Sequence, residues 1–125
     1  MSFTPALMAF TLFGKISHPM DKPWSPAEKM AARRIFDLAV ANAQKEILRR
    51  HSEKRITTAD ELWKYELEIR EWRREFQTTL QFTYSKLPLC FGLCLRKGWL
   101  TESNLSGLCE ERIEFIKKVR SLKQK

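Results

Sequence analysis

Between Thr58 and about Thr83, a stripe of Leu62, Tyr65, Ile69, Trp72, Phe76, Leu80 and Thr83 recurs, with mostly charged and polar residues filling the gaps. Steps of three and four are the period of one helix face, and Thr58 with Glu61 has the spacing of a capping box that starts such a helix. At about 1.5 Å per residue the helix would run to nearly 40 Å, more than the ~30 Å width of a small domain, so part of its length needs a partner outside its own core. Trp63 and Leu67 form a second apolar pair, one turn apart and about a third of a turn away from the main stripe. If the stripe faces the rest of the chain, this pair faces outward, and an exposed tryptophan on a rigid helix is a typical anchor of a binding surface. The alternative is that Trp63 covers the turn near Ile56. Glu66 and Arg73 flank the pair and are candidates for an interchain salt link. Leu62, Trp63, Glu66, Leu67 and Arg73 are therefore the candidate dimer or partner surface.

The rest of the pattern is helical as well. Trp24-Ser25-Pro26-Ala27-Glu28 is a helix start, with Ser25 as N-cap, Pro26 at the first helical position and Glu28 expected to reach back and close the box. The helix it opens runs to about His51, with Ala32, Ile35, Phe36, Ala39, Ala43 and Ile47 on its inner face, where small residues allow close approach of another helix. Ser52 to Thr57 is a short polar turn that returns the chain antiparallel, which predicts a hairpin of two long helices. Pro88 must break or kink whatever continues beyond Thr83. A third, shorter helix through Leu89, Cys90, Leu93 and Cys94 ends at Gly98, with Leu100 placed to close a hydrophobic C-cap. Thr101 to Ser106 reads as a single helical turn ended by Gly107. A last amphipathic helix carries Ile113, Ile116 and Val119. The expected architecture is all-α: a long antiparallel helical hairpin (stem, about 25–83), a small head of short C-terminal helices (about 84–120), and a twofold homodimer, the commonest solution for a self-complementary patch.

For 125 residues, 43% of them hydrophobic, one domain over 23–125 is the natural expectation. Residues 1–22 read as an N-terminal extension or the product of an upstream start. Its apolar stretch Pro5 to Phe13 has less than half of the ~20 residues a bilayer crossing needs. Three cysteines, Cys90, Cys94 and Cys109, lack both an even count and metal-site spacing, and are expected to be reduced and mostly buried, as in a cytoplasmic protein.

Lysine and arginine exceed aspartate and glutamate by 23 to 15, a net charge of +8, which favours an acidic partner, an anionic membrane face or nucleic acid. Acids are interleaved with the bases along the helices, so most of this charge reads as a solvated face laced with i,i+4 pairs. Lys45, Arg49, Arg50, Lys54 and Arg55 form one basic patch, at a helix C-terminus where the dipole favours cations. A small basic nucleic-acid-binding helical protein using that patch and the C-terminal lysines is the competing, less favoured class; salt-sensitive binding would be its mark.

No nucleophile motif, phosphate loop, metal-binding His-Glu-x-x-His or calcium loop occurs. His51 reads as a surface residue at a helix end. No cofactor, metal or catalytic residue is expected.

The order Trp24-Ser25, Glu28, Phe36, then Leu62-Trp63, Arg73, Glu75, then Tyr84-Ser85, Leu87, Phe91, Gly98, Leu100, Leu105, Gly107-Leu108 and Ile113 resembles the fluorescence recovery protein family of cyanobacteria, from about residue 24 to 120. The resemblance implies an all-helical homodimer with a long stem and a smaller head, without cofactor or catalysis. It implies binding to photoactivated orange carotenoid protein, faster return of that protein to its resting state, and a cytoplasmic location, peripheral to photosynthetic membranes. Trp63 and Arg73 match the family's functional patch, while Tyr84 and Leu89 become candidate contacts on the head. The histidine and aspartate of that patch are here Glu66 and Leu67, which moves the acid one position, a rotation of about 100° around the helix.

Overall fold

A computed structural model describes residues 22–122; the N-terminal stretch Pro5 to Phe13 lies outside them. Among the described residues four α-helices and one 3-10 turn follow in order: α1 (Pro26–His51), α2 (Ala59–Thr79), α3 (Leu87–Lys97), the turn Glu102–Leu105, and α4 (Glu110–Ser121). The described residues contain no strand.

Ser25 caps α1, its hydroxyl accepting from the Glu28 amide at 3.0 Å, with Pro26 in the first turn. Glu28 does not reach back to complete the box. Its carboxylate instead crosses to α4, where Oε2 accepts from the Cys109 amide at 2.9 Å and Oε1 from Arg112 Nη1 at 2.8 Å. A short-range pattern is overridden here by a partner more than eighty positions away. The inner face of α1 is as the alanine spacing predicts: Ala32, Ile35, Ala39 and Ala43 are fully buried, with Phe36 packed at the edge of the core.

α2 is shorter than its stripe suggests. It ends at Thr79 and not near Thr83, with Leu80 leaving helical geometry at φ −97°, ψ 88° while its amide still bonds the Phe76 carbonyl. Leu80 keeps the apolar step of the stripe beyond the end of the helix because it packs against the core from a connecting segment, as Phe82 and Tyr84 also do. Pro88 therefore breaks nothing. It lies in the first turn of α3, where a missing amide costs no internal bond.

α3 supplies the centre of the core through Leu87, Phe91 and Cys94, and it ends in a left-handed Gly98 at φ 83°. Behind it the Trp99 amide returns to the Cys94 carbonyl at 2.9 Å, the pattern of a Schellman end. Trp99 and Leu100 then enter the core. α4 packs on α3 so closely that a Cβ at Gly92 would lie 2.4 Å from Val119 Cβ. Ile116 and Val119 are the buried residues of this contact from α4. Cys90 and Cys94 are free and buried, and Cys109 is half-buried at the N-cap of α4.

Arg112 is the largest fully buried side chain. Besides Glu28, its guanidinium bonds the Lys22 carbonyl and stacks over Trp24 at 3.8 Å from the ring centre. Burial pushes the Glu28 carboxyl up, yet the Cys109 amide and Arg112 outweigh it and hold that carboxyl below its ordinary value.

Candidate interaction surface

α2 contains no buried residue before Thr79. Its inward side, Tyr65, Ile69, Trp72 and Phe76, is half-buried. Tyr65 rests against His51 with ring centres 5.1 Å apart, and Lys54 Nζ lies 5.3 Å from the Tyr65 ring. His51 is thus half-buried against α2, not a free surface residue, and its Nδ1 is buried without a hydrogen-bond partner among the described residues. Trp72 stacks on Phe76 at 5.0 Å, and Phe76 leans toward Trp99 at 6.5 Å.

The other side of α2 is open. Trp63 is 64% exposed, Leu67 50% and Leu62 44%. Leu62 opens the sequence stripe but does not share its burial, because the chain covers that stripe only from Tyr65 onward. A groove of about 320 Å³ runs along the helix between Leu62, Tyr65, Glu66, Ile69, Arg70 and Arg73. Glu66 is held within its own helix by Arg70 at 2.5 Å, whereas Arg73 has no ion pair among the described residues. Glu66 and Arg73 therefore border one groove without forming an ion pair with each other.

The two head candidates differ. Leu89 is exposed on α3. Tyr84 is half-buried in an aromatic row, 5.1 Å from Trp24 and 5.3 Å from Phe82, with Lys29 5.5 Å from its ring. The basic patch also divides: Arg50 pairs with Glu46 at 2.7 Å and Lys54 with Glu68 at 3.3 Å. Lys45, Arg49 and Arg55 have no ion pair among the described residues.

Two features of the surface have no forecast in the sequence reading. Trp99 sits between the long helices, its indole N–H donating to Glu46 at 2.5 Å and its carbonyl accepting from Asn42 at 2.7 Å. Lys97 bridges to Glu75 of α2 and lies 5.5 Å from the Trp99 ring. The Gly-Trp-Leu run after α3 was the available signal: a tryptophan directly after a left-handed cap is thrown back toward the helix it leaves. Among the described residues no group of three or more acidic, cysteine or histidine side chains is placed to hold a metal ion. No described helix is long and apolar enough to cross a membrane.

The arrangement of these helices recurs in solved structures. The chain matches the fluorescence recovery protein from Synechocystis sp PCC 6803 at a TM-score of 0.73 and 25% identity, over 80% of this chain and 100% of that one. The fold is that of the fluorescence recovery proteins. The Fremyella diplosiphon fluorescence recovery protein matches at TM-score 0.70 and 23% identity, and an arginine-to-lysine mutant of the Synechocystis protein at 0.73 and 24%, each with the same coverage. No family model matches the chain, and the search of curated proteins found no relative. The resemblance read from the sequence over about residues 24 to 120 and the three-dimensional likeness, which covers 80% of the chain, thus point to the same fold.

Proposed function

We propose that this chain is a non-enzymatic, dimeric regulator of the fluorescence recovery type, with α1 and α2 as stem, α3 to α4 as head, and the open side of α2 as the surface that joins two copies. The observation that carries the reading is the exposure of Leu62, Trp63 and Leu67 along a helix with no buried residue before Thr79. The exposed flank repeats at helical spacing, so a twofold axis lets each copy cover the other's strip. The client, on this reading, is photoactivated orange carotenoid protein. The regulator binds one conformer better than the other and lowers the barrier to the resting state. Its place is the cytoplasm, at the periphery of photosynthetic membranes.

One observation favours a second reading in which the client differs. The acid of the patch stands at Glu66 and is engaged by Arg70 in its own helix, so it is not presented in the manner of an acid at the position of Leu67. A divergent adaptor would keep the dimer and exchange its client.

The test is a recovery assay on photoactivated carotenoid protein beside a gel shift with random duplex at low salt. Faster recovery without a shift supports the leading reading. Unchanged recovery with a dimer intact supports the second, and a salt-sensitive shift supports the nucleic-acid class.

A further inference from the structure

A second surface lies away from the open side of α2. A groove of about 640 Å³ runs between the C-terminal half of α1 and the end of α3, with Lys45 and Arg49 on one wall and Lys97, Gly98 and Trp99 on the other. Lys45 and Arg49 are one helical turn apart, hence on one face, both exposed and neither in an ion pair among the described residues. The one acid among the described residues that line this groove is already engaged: both oxygens of Glu46 are used, by Arg50 and by the Trp99 indole. A side chain built at Gly98 would meet nothing within 4 Å among the described residues, so the floor of the groove is open to a neighbouring chain.

We infer that this groove docks an acidic segment of a partner protein, with carboxylates on Lys45 and Arg49 and its backbone passing over Gly98 and Trp99. Two free cations a turn apart match carboxylates at the spacing a peptide presents, and Glu46 already has its own partners in Arg50 and the Trp99 indole. A nucleic acid fits less well. A phosphate backbone is followed by a continuous run of free cations, and beyond the groove Arg50 and Lys54 are committed to Glu46 and Glu68, which interrupts the run before Arg55. The proposal is independent of the α2 dimer and of the carotenoid-protein client.

It is tested on the full chain by titrating a blocked oligoglutamate peptide while following amide and indole resonances. The expected result is movement of the Gly98 amide and Trp99 indole signals with little change at the Trp63 indole, and binding about tenfold or more weaker in the Lys45→Glu, Arg49→Glu double variant. A control of equal charge change, Arg74→Glu with Lys118→Glu, retains the binding. Four outcomes would each overturn the proposal: no binding, equal weakening by both double variants, signal changes centred on Trp63, or tighter and steeply salt-dependent binding of duplex DNA at the same signals. Light scattering and the recovery assay run separately, so failure here leaves the dimer and client questions standing on their own results.

Discussion

Glu28 and Arg112 meet across 84 positions of sequence, Oε1 to Nη1 at 2.8 Å, with side chains 7% and 0% exposed. The pair ties the first turn of α1 to the first turn of α4, and the Cys109 amide on the second carboxylate oxygen fixes its geometry. Removing one member leaves the other charge buried and unpaired, which costs about 3–5 kcal/mol. Arg112→Ala is therefore expected to be strongly destabilised in urea unfolding, while Arg120→Ala, whose contact with Glu102 is partly exposed, changes stability by at most ~1 kcal/mol.

The same pair gives the fold an acid limit. The Glu28 carboxyl is held below its ordinary value in the folded chain, so the folded state binds that proton less readily than the unfolded state. Its contribution is fully present above the ordinary carboxylate range and is lost as pH falls through the lowered folded value. Unfolding free energy should decline with acidification across that window. Glu28→Gln should be less stable at neutral pH and should show a flatter decline; an unchanged slope would remove Glu28 as the cause.

Sequence and structure diverge here for a definite reason. The Ser25, Pro26 and Glu28 pattern correctly marks where α1 begins, because Ser25 and Pro26 act within one turn. Glu28 belongs to the same local signature, but its destination depends on where α4 arrives, which no local spacing encodes. Likewise Leu80, Phe82 and Tyr84 continue an apolar pattern after the backbone has left helical geometry at Leu80, since burial demands apolar residues whatever the backbone does. The open side of α2 was legible because Trp63 and Leu67 lie off the stripe, a matter of helix geometry alone. The groove beside Trp99 was not, because it is built from the ends of α1 and α3, brought together by the core.

The α3–α4 contact sets another expectation. Gly92 allows Val119 to approach to a distance at which a Cβ could not exist, and the Ile116 carbonyl is 3.0 Å from the same point. Gly92→Ala forces the two helices apart and should cost about 1–3 kcal/mol, or more if the core cannot adjust. Gly98→Ala meets no atoms, and only its left-handed φ of 83° is strained, so its cost should stay at roughly 1–2 kcal/mol. Paired thermal or denaturant unfolding measures both, and a larger loss at Gly98 would contradict the packing argument.

The proposed dimer makes the most direct prediction. A glutamate at Leu62 or Trp63 places a charge where one copy would otherwise cover the apolar strip of its twin, while touching nothing in the buried core. Each variant should therefore keep its helical circular dichroism and yet show about half the parent mass in light scattering at micromolar concentration, where a desolvated, unpaired charge outweighs the lost contact area. Glu66→Gln should leave the mass unchanged, because Glu66 is satisfied by Arg70 within α2. A parent chain already monomeric at that dilution, or Leu62→Glu and Trp63→Glu variants both retaining the parent mass, would show that a second copy does not cover the exposed side of α2.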